Sequence, residues 1–143
     1  MSNLRLPYYD LSPDAYQGFL AAKKALDRSP LGKRLIELVN LRVSQINGCS
    51  FCTEMHARAL RAGGTEDAKL DALAGWRVSG RFDARERAAP DWAESLTEVA
   101  RSGAPDGVFD ALKAHFNDVE IADLSFAVAL MNAFNRLGVG MRQ

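Results

Sequence analysis

The chain reads as all helix, a compact bundle of about six to seven helices. Three observations carry that reading. Alanine and leucine greatly outnumber valine, isoleucine and threonine, and they fit a helix better than β-branched residues do. No segment alternates apolar and polar for long enough to make a strand, whereas apolar residues recur at three- and four-residue spacing. Helix starters and terminators punctuate the chain at matching intervals.

The first helix opens at Ser12-Pro13-Asp14, where Ser12 is placed to cap, Pro13 suits the first helical position and Asp14 complements the dipole. It runs to about Arg28, and Ser29-Pro30 stops it. The second spans about Leu31 to Ile46 with Leu35, Leu38, Val39 and Val43 at helical spacing, and Asn47-Gly48 turns the chain. A third runs from Cys49 to Ala62 and closes at Gly63-Gly64. Thr65 is the expected cap of a fourth, which carries Leu70, Leu73 and Trp76 to about Val78 before Ser79-Gly80. Asp83 and Glu86 form an acidic capping box for a fifth, with Trp92, Leu96 and Val99 along it. Pro90 lies beyond the first turn of that helix, where a kink or restart is expected. Pro105-Asp106 opens a sixth reaching about Phe116, and Asn117-Asp118 introduces the last, from about Val119 to Leu137. That last helix is apolar nearly all round, as a core or interface helix should be.

At 143 residues the chain is expected to fold as a single domain over 1–143 that needs no metal or disulfide to hold it together. Its 18 Lys+Arg balance its 18 Asp+Glu, so no basic field attracts nucleic acid or an anionic membrane, and near-zero charge favours self-association. No apolar run approaches the ~20 residues needed to span a bilayer. The first ten residues have no apolar signal-peptide core, so a reducing cytoplasm is the expected compartment. The two cysteines then need a reason.

They sit in Glu37-x11-Cys49-x2-Cys52-x3-His56. Residues three apart on a helix have α-carbons near the ~5.5 Å a disulfide prefers, so Cys49 and Cys52 are spaced to close a bridge. At a helix start, free N–H groups and the dipole stabilise a thiolate. His56 falls one turn beyond Cys52 on the same face, within reach of proton exchange with its sulfur. If the second and third helices form an antiparallel hairpin around Gly48, Glu37 lies ~16 Å down one and His56 ~12 Å down the other. The carboxylate is then placed to orient the imidazole. The expected order is Glu37 to His56 to Cys52 as the attacking thiolate, with Cys49 resolving the oxidised sulfur.

This pattern resembles the alkyl hydroperoxidase D (AhpD)-like branch of the carboxymuconolactone decarboxylase superfamily, whose hallmark is a glutamate, a Cys-x-x-Cys and a following histidine at this spacing. Arg42-Val-Ser-Gln-Ile-Asn-Gly48, Phe82-Asp-Ala-Arg-Glu-Arg-Ala88 and Asn132-Ala-Phe-Asn-Arg136 are also similar to that group. The resemblance implies an all-helical fold, homo-oligomers built in threes (trimer or hexamer), and reduction of peroxides through a cysteine disulfide, with no cofactor. An external dithiol or disulfide-reductase protein would regenerate the thiols. Cys52 matches the peroxidatic position, Cys49 the resolving partner and proton donor, and Glu37 and His56 the proton relay. Two positions depart. The best-known members carry a histidine immediately before the second cysteine, where this chain has Phe51, and Pro90 stands where relatives tend to have an ordinary helix former.

Other readings of the same residues stand beside this one. Cys49, Cys52 and His56, with Glu37 or His115 as a fourth ligand, would serve zinc. Glu37 would otherwise pair with Lys33 or Arg34 on its own helix. His115, outside the motif, reads as a surface residue. Asn132 and Asn135 interrupt an apolar helix and should form a hydrogen-bonded packing network, and Trp76, Trp92 and the phenylalanines read as core or interface. At the level of function, the alternatives to a thiol peroxidase are a lactone decarboxylase using acid/base groups without cysteine, and a non-catalytic redox-sensing oligomer.

Overall fold

A computed structural model describes residues 3–143. The described residues are helical without strands, in the order α1 (Tyr8–Leu11), α2 (Pro13–Leu26), α3 (Lys33–Asn47), α4 (Ser50–Ala62), α5 (Asp67–Asp71), a 3₁₀ segment (Leu73–Val78), α6 (Ala84–Thr97), α7 (Val99–Ser102), α8 (Asp106–Lys113) and α9 (Asp118–Met141). The expected all-α bundle is therefore the observed architecture.

Helix α3 is its centre, packed against α4, α6 and α9. Two hydrophobic clusters explain that position. Val39 and Val43 of α3 join Ala89, Trp92, Ala93, Leu112, Leu124 and Val128 of α6, α8 and α9. Leu38 and Leu41 face the other way, onto Leu60, Leu70, Leu73, Trp76 and Phe82. A helix with apolar residues on opposite faces has to be covered on both sides. Truncating any of these buried leucines to alanine costs about 2–5 kcal/mol, so both clusters fix where α3 lies.

Local chemistry sets the ends of the hairpin that carries the cysteines. Gly48 ends α3 in the left-handed region at φ 69°, ψ 29°, a conformation that costs little only without a Cβ. Cys49 then caps α4. The capping boxes at Asp83/Glu86 and Asn117/Glu120 are both formed. Glu86 does more than close its box, since Lys69 Nζ donates to both of its carboxylate oxygens at 2.6 and 2.7 Å.

Several expectations are corrected. A four-residue α1, held by the Tyr8, Tyr9 and Tyr16 rings, precedes the first expected helix, so Cys-x-x-Cys opens the fourth helix and not the third. Ser12 is shared between α1 and α2, its N–H bonding the Tyr8 carbonyl, and its side chain caps nothing. The single helix expected over 65–78 is broken. Thr65 does not cap it; α5 begins after Glu66 without a side-chain cap, and a 3₁₀ segment follows. The three-residue period of a 3₁₀ helix places Leu73 and Trp76 on one face, towards the cluster they share with Leu70 of α5, and Gly75 leaves helical geometry within it.

The fifth expected helix ends at Thr97, leaving Val99 in α7. No restart occurs at Pro90: α6 continues through it, with the ring wholly buried. Packing of α6 against α3, α8 and α9 compensates for the missing hydrogen bond. Helix α9 is not covered all round, since Leu124, Val128 and Met131 are buried while Val119 and Phe126 stand 60% and 69% exposed. Trp76 and Trp92 are core, as expected.

Candidate functional site

Antiparallel packing of α3 and α4 around Gly48 brings the four residues of the motif to one place. Cys49 and Cys52 are joined as a disulfide with α-carbons 5.3 Å apart. The Cys52 N–H donates to Cys49 Sγ at 3.3 Å. The first cysteine thus occupies the cap of α4 and the second its first turn, where the helix stabilises negative charge on sulfur.

His56 lies one turn further along α4, with 2% of its surface exposed. Its Nδ1 is 2.6 Å from Glu37 Oε2. A carboxylate only accepts, so the ring donates from Nδ1 and presents Nε2 on its other side. That Nε2 is buried and has no hydrogen-bond partner. Glu37 is therefore not paired with Lys33 or Arg34 on its own helix; Arg34 instead lies 3.5 Å from Glu86.

A cavity of about 220 Å³ opens over this group. Glu37, Cys52 and His56 line it beside Lys23 and Asp27, and Ile36, Met55, Leu130, Met131 and Phe134 are among its apolar lining. Cys52 lines the cavity and Cys49 does not. Phe51, in the position of the missing second histidine, stands 44% exposed and contributes an apolar wall in place of a relay group. Tyr8 also reaches the cavity, where it donates to Gln143; burial first, then the neighbouring Tyr16 and Tyr9, hold its hydroxyl above the usual tyrosine range.

Two residues with no place in the motif also belong here. Gly138 of α9 backs the disulfide so closely that an added Cβ would lie 3.0 Å from Cys49 Sγ and 3.4 Å from Cys52 Sγ. Asn40 lines the cavity from α3, one turn after Glu37, and its Oδ1 is buried without a partner. The signal for Asn40 was present in the sequence as a polar residue between Val39 and Leu41, three residues from Glu37. Gly138 gave no comparable signal.

The remaining polar residues have structural work. Asn47 Nδ2 donates to Asn132 at 2.9 Å and Asn135 at 3.0 Å, and Asn135 donates to Ser44 at 3.0 Å, the expected network. His115 is exposed at the end of α8 and away from the cavity, its carbonyl accepting from Arg85 at 2.8 Å. Among the described residues no three His, Cys, Asp or Glu side chains gather in a metal-binding arrangement, and no helix is long and apolar enough to cross a membrane.

A match to the carboxymuconolactone decarboxylase family covers residues 13–95, a span that holds Glu37, Cys49, Cys52 and His56. The chain belongs to the carboxymuconolactone decarboxylase family. The uncharacterised protein YnjA of Escherichia coli (strain K12) is 33% identical over 143 residues, which cover 96% of this chain and 72% of YnjA. A crystal structure of a protein of unknown function from Agrobacterium tumefaciens, provisionally assigned as the antioxidant defence protein AhpD, matches with a TM-score of 0.94 at 37% identity, covering 99% of this chain and 97% of that one. An uncharacterised peroxidase-related protein from Ralstonia eutropha JMP134, described as an alkylhydroperoxidase AhpD core, matches with a TM-score of 0.81 at 26% identity, covering 94% of this chain and 73% of that one. Within the family, this chain is an AhpD-like member.

Proposed function

We propose that the protein is a thiol-dependent peroxidase that reduces hydrogen peroxide or organic hydroperoxides through Cys49 and Cys52. The observation that carries this reading is the disulfide whose Cys52 forms the wall of a cavity beside the Glu37–His56 pair. In the reduced protein, Nε2 of His56 takes the proton of the Cys52 thiol. The thiolate attacks the terminal peroxide oxygen and the O–O bond breaks. Cys52 becomes a sulfenic acid, and the departing alkoxide or hydroxide takes the proton back from His56. Cys49 then attacks the sulfenic sulfur, its proton leaves with the hydroxyl as water, and the disulfide closes. An external dithiol or a disulfide-reductase protein returns both sulfurs to thiols and is itself oxidised. Every step uses the side chains of this chain and the two co-substrates.

Access supports the assignment of the sulfurs. Cys52 faces the cavity, so it meets the peroxide. Cys49, held at the helix cap with the Cys52 N–H on its sulfur, is placed to resolve the sulfenic acid and to leave as a stabilised thiolate on reduction. The AhpD assignment of the Agrobacterium tumefaciens relative supports the same chemistry. The exposed apolar residues Val119 and Phe126 of α9 fit a homo-oligomer, as the near-zero charge does.

The test is peroxide consumption by the wild type, Cys49→Ser and Cys52→Ser with a panel of dithiols. Turnover by the wild type and its loss to background in Cys52→Ser is the expected result. Unchanged turnover in Cys52→Ser overturns the assignment. Reversible disulfide formation without turnover under any dithiol favours redox sensing, and decarboxylation of a muconolactone surviving removal of both cysteines favours the lyase reading.

A further inference from the structure

The buried polar atoms of α3 and α4 are not all explained by the relay. Asn40 sits in the run Leu38-Val39-Asn40-Leu41, all buried, and is itself only 8% exposed. Its Oδ1 has no partner, although leaving a buried amide oxygen unmade costs about 1–3 kcal/mol. Simple core packing would not retain such a group when a leucine of similar volume would fill the space. Asn40 borders the same cavity as Cys52 and His56.

The hairpin register says where in the cavity it stands. Glu37 and Asn40 are three residues apart on one face of α3, and α4 runs antiparallel to α3. Because Glu37 bonds His56, a step of three residues along α3, ~4.5 Å, matches a step of three back along α4. That step reaches Thr53, next to Cys52. Asn40 is therefore level with the reactive sulfur, while Glu37 is level with the imidazole.

We propose that Asn40 Oδ1 accepts the O–H of the bound hydroperoxide and so aims its terminal oxygen at Cys52 Sγ. The inference rests on the peroxidase reading above. The two groups divide the substrate between them. Asn40 holds the hydrogen of the oxygen that is transferred, and that hydrogen stays on it as Cys52–S–O–H forms. His56 supplies its proton to the other oxygen as the O–O bond breaks. No proton passes through Asn40, so its role is to position the substrate, by direct contact.

The experiment uses Asn40→Ala and Asn40→Leu in a Cys49→Ser background, where Cys52 is the one sulfur that reacts. Oxidation of Cys52 by tert-butyl hydroperoxide is followed by sulfenic-acid trapping, and alkylation by iodoacetamide is measured across pH on the same samples. Alkylation needs the thiolate and not an acceptor for O–H. The expected result is oxidation slowed about tenfold in both variants, the worth of one hydrogen bond, with alkylation rates and their pH midpoint unchanged. The alanine variant leaves the cavity open, so its result does not depend on how leucine packs. Unchanged oxidation overturns the role of Asn40, and so does a parallel loss of oxidation and alkylation. A parent protein that alkylates normally but is inert to peroxide overturns the peroxidase reading, and this inference with it.

Discussion

On the side of α3 that meets the 3₁₀ segment, α6 and α9, polar groups are tied to one another. Arg42 Nε donates to Glu94 Oε1 at 2.8 Å, Trp76 Nε1 donates to the same oxygen at 2.9 Å, and Arg77 reaches Glu94 Oε2 at 3.1 Å. Ser44 and Asn47 bond to Asn132 and Asn135 of α9. On the side that faces the cavity, Asn40 Oδ1 and His56 Nε2 are buried and unpartnered. The α3–α4 hairpin thus carries polar residues under two different rules. Satisfied groups hold helices in register, and unsatisfied ones beside a cavity are available to a ligand or a proton.

Substitutions should separate the two sides. The largest effect is expected for His56→Gln, which removes the proposed base beside Cys52: peroxide oxidation of Cys52, followed by stopped flow, should fall at least a hundredfold. Thermal melting should move little, because the glutamine amide can donate to Glu37 in place of Nδ1 and the His56 Nε2 has no bond to lose. A large drop in melting temperature with the rate intact would place His56 among the structural groups and break the contrast.

A smaller effect belongs to the other side. Glu94→Gln should cost about 1 kcal/mol, read as a melting temperature lowered by a few degrees, with Cys52 oxidation unchanged. Burial works to raise the Glu94 carboxyl, but hydrogen bonds from Trp76, Arg42 and Arg77 and the charge of Arg42 outweigh it and hold it below its ordinary 4.5. The folded state therefore binds this proton less readily than the unfolded state. The stabilisation is present in full above about pH 4.5 and is lost as pH falls through the lower folded value. Wild type and Glu94→Gln should accordingly differ most near neutrality and converge in acid. A gap independent of pH would show that Glu94 acts through packing and not through its charge.

Much of this arrangement was legible in the sequence because it is local. The Asp83/Glu86 capping box follows from residues three apart, and the turn at Gly48 follows from the Asn47-Gly48 pair. The meeting of Glu37 with His56 beside the cysteines follows from helical spacing plus one assumption, that the helices on either side of Gly48 fold back on each other. What was not legible depends on contacts distant in sequence. The broken segment over 65–78 has ordinary helix formers, and only the shared cluster with Leu38, Leu41 and Phe82 favours a three-residue period there. Gly138 lies 86 positions beyond Cys52 along the chain, and nothing near it in sequence announces the two sulfurs. Asn40 is intermediate, since its spacing from Glu37 was visible but its lack of a partner needed coordinates. Pro90 shows packing overriding a local rule.

The central claim is that the sulfur facing the cavity receives the oxygen and the sulfur at the helix cap resolves it. One measurement addresses it directly: reduced Cys49→Ser and Cys52→Ser proteins are each given one equivalent of hydroperoxide in the presence of a sulfenic-acid trap, and the adduct is located by mass spectrometry. The account predicts an adduct on Cys52 in the first protein and none on Cys49 in the second. An adduct on Cys49 in the second, at a rate matching or exceeding that of the first, would contradict it.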